Sequence, residues 1–268
     1  MNSIVNVYIL TSDENNERVR KLKKLFLNEI FDIIVITISP ISGIETKPSI
    51  KNNQSLNSQR IIKCLNKSRI HNLENYTIII KDTSISSSSS EVVTKVILKL
   101  IEISQKVNWD IAYLNKWLDR CDLYNSEKNI EIEDLSIYIT ETFSPNGTQA
   151  LMFSKDGRDR ILGLKPLLDN SSFIPFNNSI DLSLHIAIEN KKLIAYTVVP
   201  NLFEYNIIFS ENISDIVKSH DCRIPNLVKE EKGILPFLWF IIAILGTILL
   251  IWAARKIGPK EKNIKNIK

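Results

Sequence analysis

Residues 76–83 read YTIIIKDT, an apolar and β-branched run that ends in charged and polar side chains. A short run of this kind is typical of a strand that is buried on both faces of a sheet. Comparable runs precede and follow it, at residues 4–10 (IVNVYIL), 32–38 (DIIVITI) and 109–114 (WDIAYL). The sequence therefore predicts four buried strands, the third of which ends at Lys81.

Segments with apolar side chains at helical spacing lie between these strands, and Asp13 offers an N-cap for the first of them. They cover residues 14–30, 57–73 and 91–106. Alternating strands and helices are the pattern of a parallel sheet that is covered on both faces. The second half is less regular, with predicted strands at 135–142, 149–154 and 193–199 and predicted helices at 155–164 and 180–190. We expect an α/β fold over residues 1–209, with a Rossmann-type mixed sheet flanked by helices.

The carboxyl ends of the predicted strands define the edge where a ligand is expected. In open α/β sheets, ligands bind beyond the carboxyl ends of parallel strands. The polar residues that follow the four strands are Asp13, Ser39, Asp82 and the segment Lys116–Asp122. These residues are therefore the first candidates for a functional site.

The positive charge of the chain is concentrated at its C-terminus. The 268 residues carry a formal net charge of +4, but residues 255–268 alone carry +5, which leaves −1 for residues 1–254. A nearly neutral body is not the electrostatic footprint of a nucleic-acid-binding protein, so we expect no nucleic-acid partner. Three cysteines without a CxxC pair make a disulfide framework or a cysteine zinc site unlikely.

Residues 234–254 read ILPFLWFIIAILGTILLIWAA, which is 21 residues without a charge. A helix of this length spans about 32 Å, enough to cross a hydrocarbon core of about 30 Å. Trp239 and Trp252 lie near its two ends, where amphipathic rings favour the membrane interface. The sequence predicts a single transmembrane helix anchored in a lipid bilayer, with a stalk at 210–233 before it and a basic tail at 255–268 after it.

Two features of the sequence favour opposite orientations of this anchor. The N-terminus lacks a basic segment and a long apolar run, so it is not a signal peptide, and a tail anchor would leave the domain in the cytosol. The positive-inside tendency instead favours a cytosolic basic tail. Because sparse cysteines agree with a reducing compartment, we favour the cytosol-facing domain.

The ordered series of motifs across residues 4–206 resembles glycosyltransferase family 25, which contains lipooligosaccharide and procollagen galactosyltransferases. Tyr76–Asp82 is similar to the strand that runs into that family's Glu-Asp-Asp, and Trp109–Leu114 is similar to its "WDilyL" strand. The other similar segments are Val5–Leu25, Cys64–His71, Gly147–Ser154, Ile180–Leu182 and Ala195–Pro200. The resemblance implies a GT-A-like fold that transfers a hexose, such as galactose or glucose, from UDP to a glycan or protein hydroxyl.

The resemblance also implies roles for individual residues. Asp82 would hold Mn²⁺ or another divalent cation against the leaving diphosphate, while Thr83, Arg18 and Gln149 would contact the nucleotide sugar. Asp181 would take the proton of the acceptor hydroxyl as a general base. Simpler interpretations are a turn after the strand for Asp82 and a helix N-cap for Asp181.

The sequence departs from the family at the metal motif. Lys81-Asp82-Thr83 stands where the family has Glu-Asp-Asp, so two of three carboxylates are missing. Lys81 is a point charge suited to phosphate, although strand alternation predicts that it points away from Asp82. Two hypotheses follow. Either transfer is retained around Asp82, or the domain is a catalytically inactive membrane or virion interaction protein, similar to the transferase-like membrane proteins of large DNA viruses.

Overall fold

The computed structural model describes residues 4–38, 50–86, 88–117, 119–125, 129–132, 135–172, 174 and 179–205. Ser39 and the predicted stalk, membrane span and basic tail lie outside these residues. Within the described ranges, no helix is both long enough and apolar enough to cross a membrane. The chain divides into two units, Met1–Arg223 and Ile224–Lys268, and every described residue belongs to the first.

The described residues form ten strands and five α-helices. The strands are β1 Val5–Thr11, β2 Phe31–Thr37, β3 Tyr76–Lys81, β4 Ser84–Ile85, β5 Ile111–Tyr113, β6 Ile130–Ile132, β7 Ile137–Thr142, β8 Ala150–Phe153, β9 Ala195–Val199 and β10 Glu204–Tyr205. The helices are α1 Glu17–Leu25, α2 Ile50–His71, α3 Ser90–Lys106, α4 Lys155–Ile161 and α5 Ile180–Glu189. A 3₁₀ turn at Cys121–Leu123 joins β5 to β6.

Two helix starts differ from the sequence prediction. Helix α1 begins later than expected because Asn16, and not Asp13, is its N-cap, and the Asn16 side chain accepts from the backbone N–H of Arg18 at 3.0 Å. The Asp13 carboxylate instead accepts from the backbone N–H of Asn15. Helix α2 begins at Ile50, seven residues earlier than its predicted start at 57, within a polar stretch that carries no apolar periodicity.

An eight-stranded mixed sheet runs through the domain in the order β2-β1-β3-β8-β5-β9-β7-β6. Strand β1 pairs in parallel with β2 and β3, and β5 pairs in parallel with β9. Strand β8 is antiparallel to both β3 and β5, which it separates. The predicted mixed sheet is therefore confirmed, but the first four predicted strands are not consecutive in it, because β8 lies between β3 and β5. Because all four residues of β8 are buried, its apolar run does not distinguish a parallel from an antiparallel strand.

Side-chain alternation along the central strands feeds two separate apolar layers. On one face, Val7 and Ile9 of β1 pack in a cluster with α1 and α3. On the other face, Tyr8 and Leu10 pack in a cluster with α2, α4 and α5. Both faces of the sheet are therefore covered by helices, as the sequence predicts, and each strand ends with its last side chains directed to different layers.

Two short strands, β4 and β10, form a separate two-stranded sheet. Strand β4 lies inside the serine-rich stretch after β3 and pairs antiparallel with β10. This pairing ties the chain after β3 to the segment that follows β9. The serine-rich stretch is thus held by β10, close to the carboxyl end of β3.

The two described cysteines have different states. Cys64 of α2 is a buried free thiol, and burial raises its pKa to about 12, which makes it an inert core residue. Cys121 is disulfide-bonded. Because disulfides persist in oxidising compartments, cysteine usage does not support the expected reducing environment.

Candidate functional site

A cavity of about 350 Å³ lies at the carboxyl ends of β1, β2 and β3. This volume is within the range of about 300–1,000 Å³ that small-molecule sites occupy. Nine residues from three strand ends and from α2 line it: Leu10, Thr11, Ser12, Ile38, Asn57, Arg60, Lys81, Asp82 and Thr83. The cavity therefore occupies the edge where the α/β topology places a ligand.

The Lys81-Asp82-Thr83 triplet follows β3 into this cavity, and each side chain has its own partner. The Lys81 ammonium donates to Thr148 Oγ1 at 3.1 Å. Asp82 is buried and accepts from the Thr11 hydroxyl through Oδ2 at 2.8 Å. The Thr83 hydroxyl donates to Gln149 Oε1 at 3.1 Å. The triplet is thereby fixed in place by the end of β1 and by the start of β8.

Backbone pairing sets these orientations. The backbone N–H of Lys81 donates to the carbonyl of Gln149, and that of Asp82 donates to the carbonyl of Leu10, so β3 is pinned between its two neighbours up to its last residue. Lys81 lies on the same face of the extended chain as Ile79, and Asp82 lies on the same face as Ile80. Ile79 and Ile80 belong to the two different apolar layers. The alternation predicted from the sequence agrees with their separate partners, yet both residues line the same cavity.

Two cationic side chains meet at this cavity from different elements. Burial lowers the pKa of Lys81 from its ordinary value of 10.5 to about 8, with the negative charge of Asp181 opposing this shift and the positive charge of Arg60 adding to it. Burial also lowers the pKa of Arg60, which stands in the third turn of α2. An anionic ligand would relieve both the desolvation and the mutual repulsion of these cations.

Asp181 opens α5 beside the same cluster without lining the cavity. Its Oδ1 accepts from the backbone N–H of Gly147 at 2.7 Å. Burial raises the pKa of the Asp181 carboxyl, although the Gly147 N–H and the charge of Lys81 oppose this shift. The N-cap position belongs to Ser179, so Asp181 is not a capping residue. A carboxyl with a raised pKa next to a ligand cavity has the properties of a general base.

The approach of Gly147 to Asp181 depends on the absence of a side chain. Gly147 has a φ of +132°, a conformation that L side chains rarely adopt. A Cβ at this position would lie 3.3 Å from Lys116 Cα and from the backbone nitrogen of Trp117. The segment 144–147 therefore delivers a backbone donor to the Asp181 carboxylate.

The remaining predicted site residues lie elsewhere. Arg18 is on α1 and does not line the cavity. Gln149 meets the site only through Thr83 and through its backbone carbonyl. Asp119 is buried and accepts from Thr142 at 2.6 Å and from the Tyr124 hydroxyl, so it ties the segment after β5 to β7. Lys116 is buried and donates to the carbonyl of Val198, which indicates a structural role.

The donor set around Asp82 does not fit a divalent cation held by the protein. Such cations take six or more oxygen ligands, mostly carboxylates and waters. Asp82 is the one carboxylate among the lining residues, one of its oxygens is engaged by Thr11, and Lys81 and Arg60 place positive charge beside it. In the described part of the chain, no group of three or more His, Cys, Asp and Glu side chains is arranged to hold a metal.

Among the lining residues that the sequence does not single out, Asn57 and Arg60 come from a helix and not from a strand end. Both lie on α2, and the sequence shows only that Arg60 adjoins the core residue Ile61. Their position at the cavity depends on how α2 packs across β1 and β3. One feature of the sequence could have identified Arg60. It lies near the predicted start of the helix after β2, and that end of the helix faces the carboxyl ends of the strands.

Comparisons with known proteins give architectural likenesses alone. No protein-family model matches the chain, and no curated protein matches it. The crystal structure of A197 from STIV aligns with a TM-score of 0.36 and 12% identity, covering 74% of this chain and 81% of that chain. The crystal structure of a UDP-glucose pyrophosphorylase complexed with UDP-glucose aligns with a TM-score of 0.30 and 12% identity, covering 72% of each chain. Likenesses at these TM-scores support no inference about this chain, and the resemblance to glycosyltransferase family 25 stays a prediction.

Proposed function

We propose that this protein binds a nucleotide sugar of the UDP-hexose type in the strand-end cavity and transfers the hexose to a glycan or protein hydroxyl. The fold would then be of the GT-A type, carried on a C-terminal membrane anchor. The observation that supports this proposal is the cavity itself, where Lys81 and Arg60 offer positive charge to a diphosphate at the carboxyl ends of β1, β2 and β3. The sequence resemblance supplies the reaction class.

The proposed chemistry assigns Asp181 to proton transfer. As the acceptor oxygen attacks the anomeric carbon, the bond to the diphosphate breaks, UDP leaves, and the acceptor proton moves to a carboxylate. Asp181 is held by Gly147 and lies near enough to Lys81 for their charges to interact. This arrangement puts a base beside the cations that would hold the leaving diphosphate.

Release of UDP from UDP-galactose or UDP-glucose tests the proposal directly, because water can replace an unknown acceptor. The full-length chain in non-ionic detergent is expected to release UDP slowly. Asp181→Asn is expected to lower the rate about 100-fold or more, the usual contribution of a general base, while its amide oxygen still accepts from Gly147. Asp169→Asn, at an exposed carboxylate that accepts from the backbone N–H of Ser171, is the matched control. An unchanged rate in Asp181→Asn would exclude this residue as the base.

A second candidate function is an inactive glycosyltransferase-like domain that serves as a membrane or virion interaction protein. The observation that favours it is the single, Thr11-bonded carboxylate where the family has an acidic cluster. This alternative predicts no UDP release with either sugar nucleotide at any divalent cation concentration.

A further inference from the structure

We propose that Lys81 and Arg60 together neutralise the diphosphate of the bound nucleotide, so that donor binding at this cavity requires no divalent cation. This inference rests on the proposed nucleotide-sugar function. It concerns how the same site holds its ligand, and it replaces the metal role that the family resemblance gives to Asp82.

The charge of the cavity wall favours an anion. Lys81 and Arg60 contribute two positive charges and Asp82 one negative charge, so the lining carries a net positive charge. A divalent cation next to Asp82 would be repelled by both cationic groups, whereas a diphosphate would be attracted by both. The wall is therefore complementary to the free anion and not to its metal complex.

Both cations carry hydrogen-bond donors that suit phosphate oxygens. An ammonium group has three donors, and among the described residues Thr148 is the one acceptor that takes a Lys81 bond. A guanidinium presents donors in a planar fork that matches phosphate oxygens in pairs. Lys81 comes from the end of β3 and Arg60 from α2, so the two groups approach a shared ligand from different sides.

Burial disfavours the charged forms of both Lys81 and Arg60. Lys81 is desolvated and stands near a second cation, and its lowered pKa measures this unfavourable environment. Asp181 compensates in part, but its carboxylate is also engaged by Gly147. A bound diphosphate would supply negative charge and would thereby stabilise the charged forms of both side chains.

The test is calorimetric titration of UDP into the full-length chain in non-ionic detergent, once with excess EDTA and once with MnCl₂. We expect the same dissociation constant in both solutions. Lys81→Met and Arg60→Gln are each expected to weaken UDP binding about tenfold or more, which corresponds to the loss of one charge-assisted contact. Lys95→Met, at an exposed lysine on α3 that pairs with Glu91, is the control and should bind UDP like the wild type.

The outcomes separate the two proposals. UDP binding that appears only with MnCl₂ would overturn the metal-free inference and leave the proposed function standing. UDP binding that is unchanged in both cavity variants would also overturn the inference. No UDP binding in either solution would overturn the proposed function itself. Near-ultraviolet circular dichroism of each variant establishes that a loss of binding is not a loss of fold.

Discussion

Lys81 occupies the last position of β3, where three elements bring a hydroxyl, a carboxylate and a guanidinium towards its ammonium group. Thr148 precedes β8, Asp181 opens α5 and Arg60 belongs to α2. Because these elements are distant in sequence, the environment of Lys81 is a product of the tertiary fold. Its lowered pKa then makes ligand binding depend on pH in the mildly alkaline range.

We predict that UDP affinity falls as the pH rises through about 8. The Lys81 ammonium is charged below its pKa of about 8 and neutral above it. The last pKa of a phosphate monoester is about 6, so most UDP molecules are already fully ionised at pH 7. Between pH 7 and pH 9 the affinity should drop by up to roughly tenfold in EDTA-containing buffer. Lys81→Arg keeps its charge at these pH values and should show a flat profile. A wild-type profile as flat as that of Lys81→Arg would contradict the assignment.

Arg158 is a second residue whose role follows from its surroundings. It is fully buried on α4, and its guanidinium donates to the carbonyls of Asn72, Leu73 and Asn75, at 3.4, 2.6 and 3.2 Å. It thereby fixes the connection between α2 and β3, the strand that carries the candidate site.

We predict that Arg158→Met lowers the free energy of unfolding by about 3 kcal/mol, because buried carbonyls lose their charged donor. Urea titration followed by circular dichroism measures this change. The matched control is Lys21→Met, at an exposed lysine of α1 that pairs with Glu17, and it should change stability by no more than about 0.5 kcal/mol. Equal effects of the two substitutions would refute the role of Arg158.

At the scale of elements, α4 packs against β5 through a glycine. A Cβ at Gly157 would lie 2.0 Å from the carbonyl oxygen of Asp110, at the start of β5. Helix propensity alone would favour alanine at this helical position by about 1 kcal/mol. The backbone contact outweighs this gain because the Asp110 carbonyl is itself held by the backbone N–H of Ser154.

We therefore predict that Gly157→Ala is destabilising by about 2 kcal/mol or more, the scale of an overpacked core. Lys155→Ala in the same helix, at an exposed lysine that pairs with Glu74, should be close to neutral. Thermal unfolding of both variants is the measurement. A Gly157→Ala variant as stable as the wild type would show that α4 is free to move away from β5.

Local elements are predictable from this sequence, whereas long-range pairing is not. Strand β3 is predicted at its observed bounds because its apolar run and its charged end are adjacent in sequence. The insertion of β8 between β3 and β5 depends on contacts between distant segments, which no local period encodes. The same distinction holds at the site. Lys81, Asp82 and Thr83 lie at the end of a predicted strand and can be identified from the sequence. Arg60 reaches the cavity only through the packing of α2.

At the scale of the whole molecule, residues 234–254 predict membrane attachment. We expect the full-length chain to sediment with membranes after alkaline carbonate extraction, and a variant lacking residues 234–254 to stay in the supernatant. Replacement of the segment by an apolar sequence of the same 21-residue length should restore sedimentation. A deletion variant that still sediments with membranes would place the attachment elsewhere in the chain.

The central claim is that the cavity at the carboxyl ends of β1, β2 and β3 recognises the diphosphate of a nucleotide. The most direct measurement is the thermal unfolding midpoint of the full-length chain in detergent, with saturating UDP or with uridine, which lacks the phosphates. We expect a higher midpoint with UDP, no change with uridine, and no UDP effect in the Lys81→Met, Arg60→Gln double variant. A midpoint that UDP leaves unchanged in the wild type, or raises equally in the double variant, would contradict this claim.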